Sequence, residues 1–196
     1  RVDEVIECLA ANRELAAKVF YMVCGHANPE TKDPLNALIR QAGLQDGIRL
    51  NGRTSENDLR SYFTVADVCI NLRNPAMEGG SASLVEMMLH GKAGIVSDTG
   101  VYAEVPDSCV RKIRPDHEKE DFRRAVTDLV SDPQLRERLG ANALSYAEKN
   151  FTPAVYAQRL LEFLDAVSVV KPVLEPMHRA ARILLVPGIP PDAAIA

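Results

Sequence analysis

Glu78 and Glu86 are separated by seven residues, and the first five of these are Gly79, Gly80, Ser81, Ala82 and Ser83. A run of small residues lets a backbone come close to a ligand. Where such a run opens a helix, the unpaired N–H groups of the first turn point outward, and the helix dipole adds about half a positive charge. That combination binds anions, phosphoesters above all. Carboxylates only accept hydrogen bonds, so Glu78 and Glu86 suit hydroxyl groups that donate them. A nucleoside diphosphate sugar offers hydroxyls on both sides of its pyrophosphate: ribose on one, donor sugar on the other. One glutamate for each, with amides between, is the chemistry this spacing provides. Arg73, shortly before Glu78, either reaches the phosphates or pairs with an acid at the surface.

Plainer roles exist for the same residues. Ser83-x-x-Glu86 is a capping box, in which Glu86 would merely close its own helix. Glu78 would then be a solvated loop acid, and Gly79-Gly80-Ser81 an ordinary turn between strand and helix. His26 follows an apolar run ending at Gly25 and is either a ligand contact or simply exposed. Glu104, in GVYAEVP, either fixes its loop or faces the pocket.

The elements that must carry these residues follow from periodicity. Strand and helix patterns alternate, which predicts an α/β fold: a doubly wound, Rossmann-like parallel sheet with helices on both faces. Ligands bind such sheets at the carboxyl ends of the strands. Residues 2–17 read as one amphipathic helix and Lys18–Cys24 as a buried strand. Asp33 caps a helix to Ala42 with Pro34 at its first position. A short strand over 47–51 and a helix from Ser55 to Thr64 follow. Asp67–Leu72 is the strand that feeds the small-residue loop. The next helix is expected over Leu84–His90, stopped by Gly91. Ala93–Ser97 and Ser108–Ile113 read as strands. Beyond Glu118 only helices are expected: 121–130, 133–139, 141–149 and a long one from Thr152-Pro153 to about Val167. Residues 168–196 read as a helical and Pro-rich tail or linker, with Lys171–Leu185 helical and Val186–Ala196 irregular. The charged run Asp116–Arg124 reads as a solvated helix face.

Composition narrows the function classes. A net charge of −4 argues against a nucleic-acid surface. No apolar stretch approaches the roughly 20 residues of a membrane span. Cys8, Cys24, Cys69 and Cys109 are scattered and read as reduced structural thiols, which implies a cytoplasmic location, at most peripheral to the inner face of a membrane. His90, His117 and His178 show no metal-ligand spacing, so no metal or cofactor is expected. The chain begins Arg1-Val2 without methionine, as if it started within a longer protein.

The surroundings of the two glutamates resemble a known family. Glu78 and Glu86 look like the Glu-x7-Glu motif of retaining glycosyltransferases of the GT-B fold, family 4 in particular. SYFTVADVCINL, and SLVEMMLHGKAGIVSDTGVYAEVP after the loop, fall in register with that family, including Gly91-Lys92, Ser97-Asp98, Gly100 and Glu104-Val105. KVFYMVCG and RLNGRTSENDLRSYF resemble its upstream segments, and the likeness extends from Arg1 to Ala166. Departures are Gly79-Gly80-Ser81, which lacks the usual Phe, and Asn71-Leu72-Arg73-Asn74-Pro75 in place of a Pro-Ser pair.

The resemblance implies one half of a GT-B fold, the donor-binding domain over 1–167. By matching position Glu86 binds the ribose hydroxyls, Glu78 the transferred sugar, and amides from Gly80 to Ser83 the diphosphate. Asn51, Arg53 and Thr54 border the base, Gly25 borders the pocket, and Arg1 is a remnant of a basic loop. The implied partners are a nucleotide-sugar donor, an N-terminal domain carrying most catalytic groups, and a glycan or lipid-linked acceptor. Alone, this half would be inactive. An epimerase of the same fold and a non-catalytic sugar-nucleotide-binding module remain as other readings.

Overall fold

A computed structural model describes residues 1–184, and they divide into two units at Lys149/Asn150. The expected tail beyond Leu184 lies outside the described residues. The first unit holds five strands: β1 (Tyr21–Cys24), β2 (Ile48–Gly52), β3 (Val68–Asn71), β4 (Ala93–Ser97) and β5 (Val110–Ile113). All neighbouring pairs are parallel, in two hydrogen-bonded ladders, β1-β2 and β3-β4-β5. Ile48 of β2 and Ile95 of β4 share one core cluster, so both ladders contribute to a common interior.

Strand β4 shows how both faces are covered. Ala93 and Ile95 join the cluster built with Ile6, Leu9 and Phe122, whereas Val96 joins Leu84, Met87 and Ala143 on the other side. Alternate residues of a strand point to opposite faces, so both must be apolar where helices lie above and below. The doubly wound α/β expectation holds.

The helices are α1 (Val2–Ala11), α2 (Arg13–Ala16), α3 (Pro29–Ala42), α4 (Glu56–Val65), α5 (Ala82–Leu89), α6 (Glu118–Ser131) and α7 (Pro133–Asn150). Several boundaries differ from expectation, each for a local reason. The single helix expected over 2–17 breaks at Asn12, whose side chain leaves the helical path and accepts from the Leu15 amide at 3.0 Å. Helix α3 starts earlier than Asp33, because Asn28 caps the Thr31 amide and Pro29 takes the first position; Pro34 is then inside the helix. Ser55 caps α4 as expected.

Gly140 does not separate two helices. Helix α7 runs straight through it, and a Cβ built there would lie 2.0 Å from the Gly91 carbonyl oxygen. The glycine is a point of backbone contact between α7 and the turn that joins α5 to β4.

The run Asp116–Arg124 is solvated only in part: Asp116, His117, Lys119, Glu120, Arg123 and Arg124 are exposed, and the other three residues are buried. Asp121 is 2% exposed, Glu118 and Phe122 are buried, and the Arg114 guanidinium donates to both Asp121 oxygens at 2.7 and 2.9 Å. Arg124 adds a third charged donor at 2.8 Å. The pattern looked polar because the acids carry their own cations. The Arg114 bonds hold the Asp121 carboxyl down at about 2. A depressed carboxyl stabilises the fold above its unfolded value near 4 and loses that contribution as pH falls through its folded value. Stability is therefore expected to drop by about 2 kcal/mol between pH 4 and 2 from this group. Urea titrations should show the drop in the parent and a flatter acid limb in Asp121→Asn.

The second unit contains α8 (Pro153–Leu184), one continuous helix where two segments were expected. Thr152 Oγ1 caps the Val155 amide at 3.2 Å, and the helix passes through Pro172 and Pro176. Tyr156, Phe163 and Leu174 are among its exposed apolar side chains. Among the described residues no helix is long and apolar enough to cross a membrane.

Candidate functional site

The site residues lie in the connections that leave the carboxyl ends of the strands. From β3 the chain passes Asn71 and Leu72, both buried, and then the exposed segment Arg73–Pro75. Glu78, half-buried, precedes the exposed Gly79 and Gly80; a Cβ added to either would meet nothing within 4 Å. Helix α5 follows at once.

That helix begins two residues before the expected Leu84. Its cap is Ser81, whose Oγ accepts from the Leu84 amide at 3.4 Å, while the Ser81 carbonyl accepts from Val85 at 3.1 Å. The amides of Ala82 and Ser83, in the first turn, have no acceptor among the described residues, as expected for a helix start. Ser83 is therefore inside the helix. A capping box needs its acid at the third helical position, which is Leu84 here. Glu86 lies two positions further on and cannot play that part. Its carboxylate is 44% exposed, and its Oε2 lies 3.9 Å from His90 Nδ1.

The other end of α5 is held firmly. His90 Nδ1 lies 2.8 Å from the Glu86 carbonyl, and its ring stacks on Phe63 of α4 at 5.1 Å between centroids. Lys92 Nζ donates to the Thr64 carbonyl at 2.9 Å.

Glu78 is fixed by a group absent from the sequence-derived set. The Tyr102 hydroxyl donates to Glu78 Oε1 at 2.5 Å, and Arg73 Nε lies 3.4 Å from the same oxygen. Oε2 accepts from the Met77 amide at 3.2 Å. The Tyr102 hydrogen bond, ahead of the other donors, lowers the Glu78 pKa from its ordinary value. Burial first, and donation to Glu78 second, raise that of Tyr102. Both shifts favour one state, an ionised glutamate facing a neutral phenol.

The network extends to the helix start. Asn71 Nδ2 donates to Ser83 Oγ at 2.8 Å and lies 3.3 Å from Ser81 Oγ. Ser97, buried at the end of β4, accepts from the Arg73 amide at 2.8 Å. Hydrogen bonds and the Arg73–Glu78 ion pair thus bring together Arg73, Glu78, Ser81 and Ser83 with Asn71, Ser97 and Tyr102. Sequence reading missed Asn71 and Tyr102; their signal was a polar residue closing an apolar strand and an aromatic in GVYAEVP, where Glu104 drew attention instead. Glu104 and His26 are both exposed.

The upstream candidates form a separate group. Gly25 follows β1 and its amide donates to the Gly52 carbonyl at 2.9 Å. Asn51 Nδ2 reaches Thr54 Oγ1 at 3.3 Å and Tyr62 Oη at 3.4 Å, and Arg53 is exposed. Among the described residues no hydrogen bond joins this group to the Glu78 network, or Glu86 to either. Arg1 serves elsewhere, as its guanidinium donates to Glu118 and Glu4. All four cysteines are free, and burial pushes the Cys69 thiol up to about 11.

Residues 1–146 match the family described as glycosyl transferases, group 1, and the chain belongs to that family. An uncharacterized glycosyltransferase of Methanocaldococcus jannaschii is 26% identical over 144 residues, which cover 71% of this chain and 35% of that protein. The crystal structure of HepE from Anabaena in complex with UDP is similar with a TM-score of 0.71 and 20% identity, over 83% of this chain and 44% of that one. The C-terminal domain of a group 1 glycosyl transferase from Francisella tularensis gives a TM-score of 0.65 and 21% identity, over 78% and 80%. The chain therefore spans less than half the length of the first two relatives. Its architecture is that of the C-terminal domain of a GT-B glycosyltransferase.

Proposed function

We propose that this chain is the donor-binding half of a retaining, family-4-like glycosyltransferase that transfers a sugar from a nucleoside diphosphate to a glycan or lipid-linked acceptor. The observation that carries the reading is the start of α5: the Ala82 and Ser83 amides are open, and Glu78 and Glu86 flank them in sequence on loop and helix. Those amides, with the macrodipole behind them, receive the diphosphate. Glu86, lacking a structural task at the cap, accepts from the ribose hydroxyls, and Glu78 from the transferred sugar. Arg73 lies beside Glu78 with an exposed guanidinium and supplies positive charge as the diphosphate leaves. Asn51, Arg53 and Thr54 with Gly25 border the base. HepE, a structural relative, was crystallised with UDP, which makes uridine the first base to try.

Fixed dipoles that meet a developing charge speed the departure of the diphosphate, and carboxylates on the hydroxyls hold the donor in a reactive pose. The acceptor and the opposing catalytic groups belong to an N-terminal domain, so this half by itself binds donor and transfers nothing.

A thermal-shift series with UDP-, GDP-, ADP- and dTDP-glucose tests the reading. One of them at about a hundred times its Kd should stabilise the chain by about 2.7 kcal/mol, a rise of roughly 5 °C or more in the midpoint. Silence from all four at millimolar concentration removes the site assignment.

A further inference from the structure

We propose that the Tyr102 hydroxyl is the positioning group that keeps Glu78 aimed at the donor sugar, an inference that rests on the donor-binding reading above. Glu78 sits in a loop, 31% exposed, followed by two glycines with open space around them. Left alone, such a side chain would sample several rotamers, and ordering it on binding would cost free energy.

Tyr102 removes that freedom because it cannot move itself. Its side chain is wholly buried in the cluster of Leu84, Met88, Val96 and Val105, and only the hydroxyl reaches the site. The turn that delivers it, Gly100–Tyr102, is pressed against the Glu78 loop: Gly100 has φ +53, and a Cβ there would come within 3.0 Å of Ala76 Cβ. The glycine therefore serves both the backbone shape and the close approach.

Counting protons gives the direction of each bond. A phenol has one proton, and Tyr102 Oη lies 2.5 Å from Glu78 Oε1 and 3.1 Å from Ser81 Oγ. The charged and closer acceptor takes it. Ser81 Oγ, which accepts from the Leu84 amide, is then free to donate its own proton back to Tyr102 Oη. The chain of bonds ties the carboxylate to the cap of the helix whose amides receive the diphosphate. On Glu78, Oε1 accepts from Tyr102 and lies beside Arg73, Oε2 accepts from the Met77 amide, and the Glu78 amide also donates to the carboxylate. Three hydrogen bonds leave the carboxylate one of its roughly four lone-pair sites for a sugar hydroxyl, and Tyr102 decides where that site points.

Tyr102→Phe deletes the hydroxyl and keeps the buried ring. Calorimetric titration of the 196-residue chain with UDP and UDP-glucose, and with the guanosine, adenosine and thymidine pairs, reads the effect. The expected result is a roughly ten-fold weaker affinity for the nucleotide-glucose that binds the parent, with the matching nucleoside diphosphate changed by no more than about two-fold. Glu78→Gln should weaken the sugar form at least as much, and the double variant no further, because the two groups act as one. Equal losses for diphosphate and sugar form, no loss in either, or full additivity with Glu78→Gln overturn the inference while leaving donor binding in place. If the parent binds none of the four pairs, the donor-binding reading falls and this inference with it.

Discussion

Replacing Gly140 with alanine is expected to lower the thermal midpoint by roughly 4–8 °C, the opposite of what helix propensity alone requires. Alanine in the middle of a helix normally gains about 1 kcal/mol over glycine. Here the added carbon would sit 2.0 Å from the Gly91 oxygen and 2.9 Å from its carbonyl carbon, both backbone atoms of a tight turn. Neither can swing aside as a side-chain end would. Gly91 itself has φ +64 and directly follows the C-cap of α5, His90, so it has little freedom to adapt. Overpacking of this kind costs about 3 kcal/mol, which leaves a net loss of about 2 kcal/mol. Thermal unfolding of the two proteins settles the sign. A midpoint equal to or above that of the parent would mean that α7 and the turn separate freely.

Glu86→Ala is expected to cut nucleotide-dependent stabilisation to less than half while leaving the unliganded chain nearly unchanged. A carboxylate that accepts from two ribose hydroxyls contributes two charge-assisted hydrogen bonds, together about 2–3 kcal/mol, or roughly 30- to 140-fold in Kd. The structural side of the prediction is equally specific. Glu86 does not cap α5, which Ser81 does, and its contact with His90, at 3.9 Å and partly exposed, contributes little. The unliganded midpoint should therefore move by no more than about 1–2 °C. Titration of both proteins with the stabilising nucleotide checks it. Unaltered affinity in the variant would make Glu86 a surface acid and transfer the ribose contact to another residue.

The strand order of events and the location of the small-residue loop were legible because they rest on strong local signals. The apolar stretches Val68–Ile70 and Ala93–Val96 mark their strands, and Ser55, Asp132 and Thr152 cap helices at the positions their side chains indicate. What escaped depends on contacts between distant segments. Gly140 reads as a helix breaker until the Gly91 carbonyl is seen against it. Asp121 reads as solvated until Arg114 closes over it. Helix α5 starts before the expected Leu84 because Ser81 and Ser83 are equally good caps by composition, and only the geometry distinguishes them. Tyr102 lies 24 residues from Glu78, so no spacing rule links them. Local chemistry announces elements; it cannot announce which element will lend a hydroxyl to another.

The clamp at the far end of α5 has a bearing on how the near end performs. His90 stacked on Phe63, Lys92 bonded to the Thr64 carbonyl and Gly91 wedged against Gly140 leave the eight-residue helix almost no room to rock or slide. Its first-turn amides are therefore set in place during folding rather than on contact. On the donor-binding proposal, an arriving diphosphate would meet a surface already shaped for it, with no ordering entropy of the helix to overcome, and its capture would be governed by diffusion and charge rather than by a rearrangement of the protein.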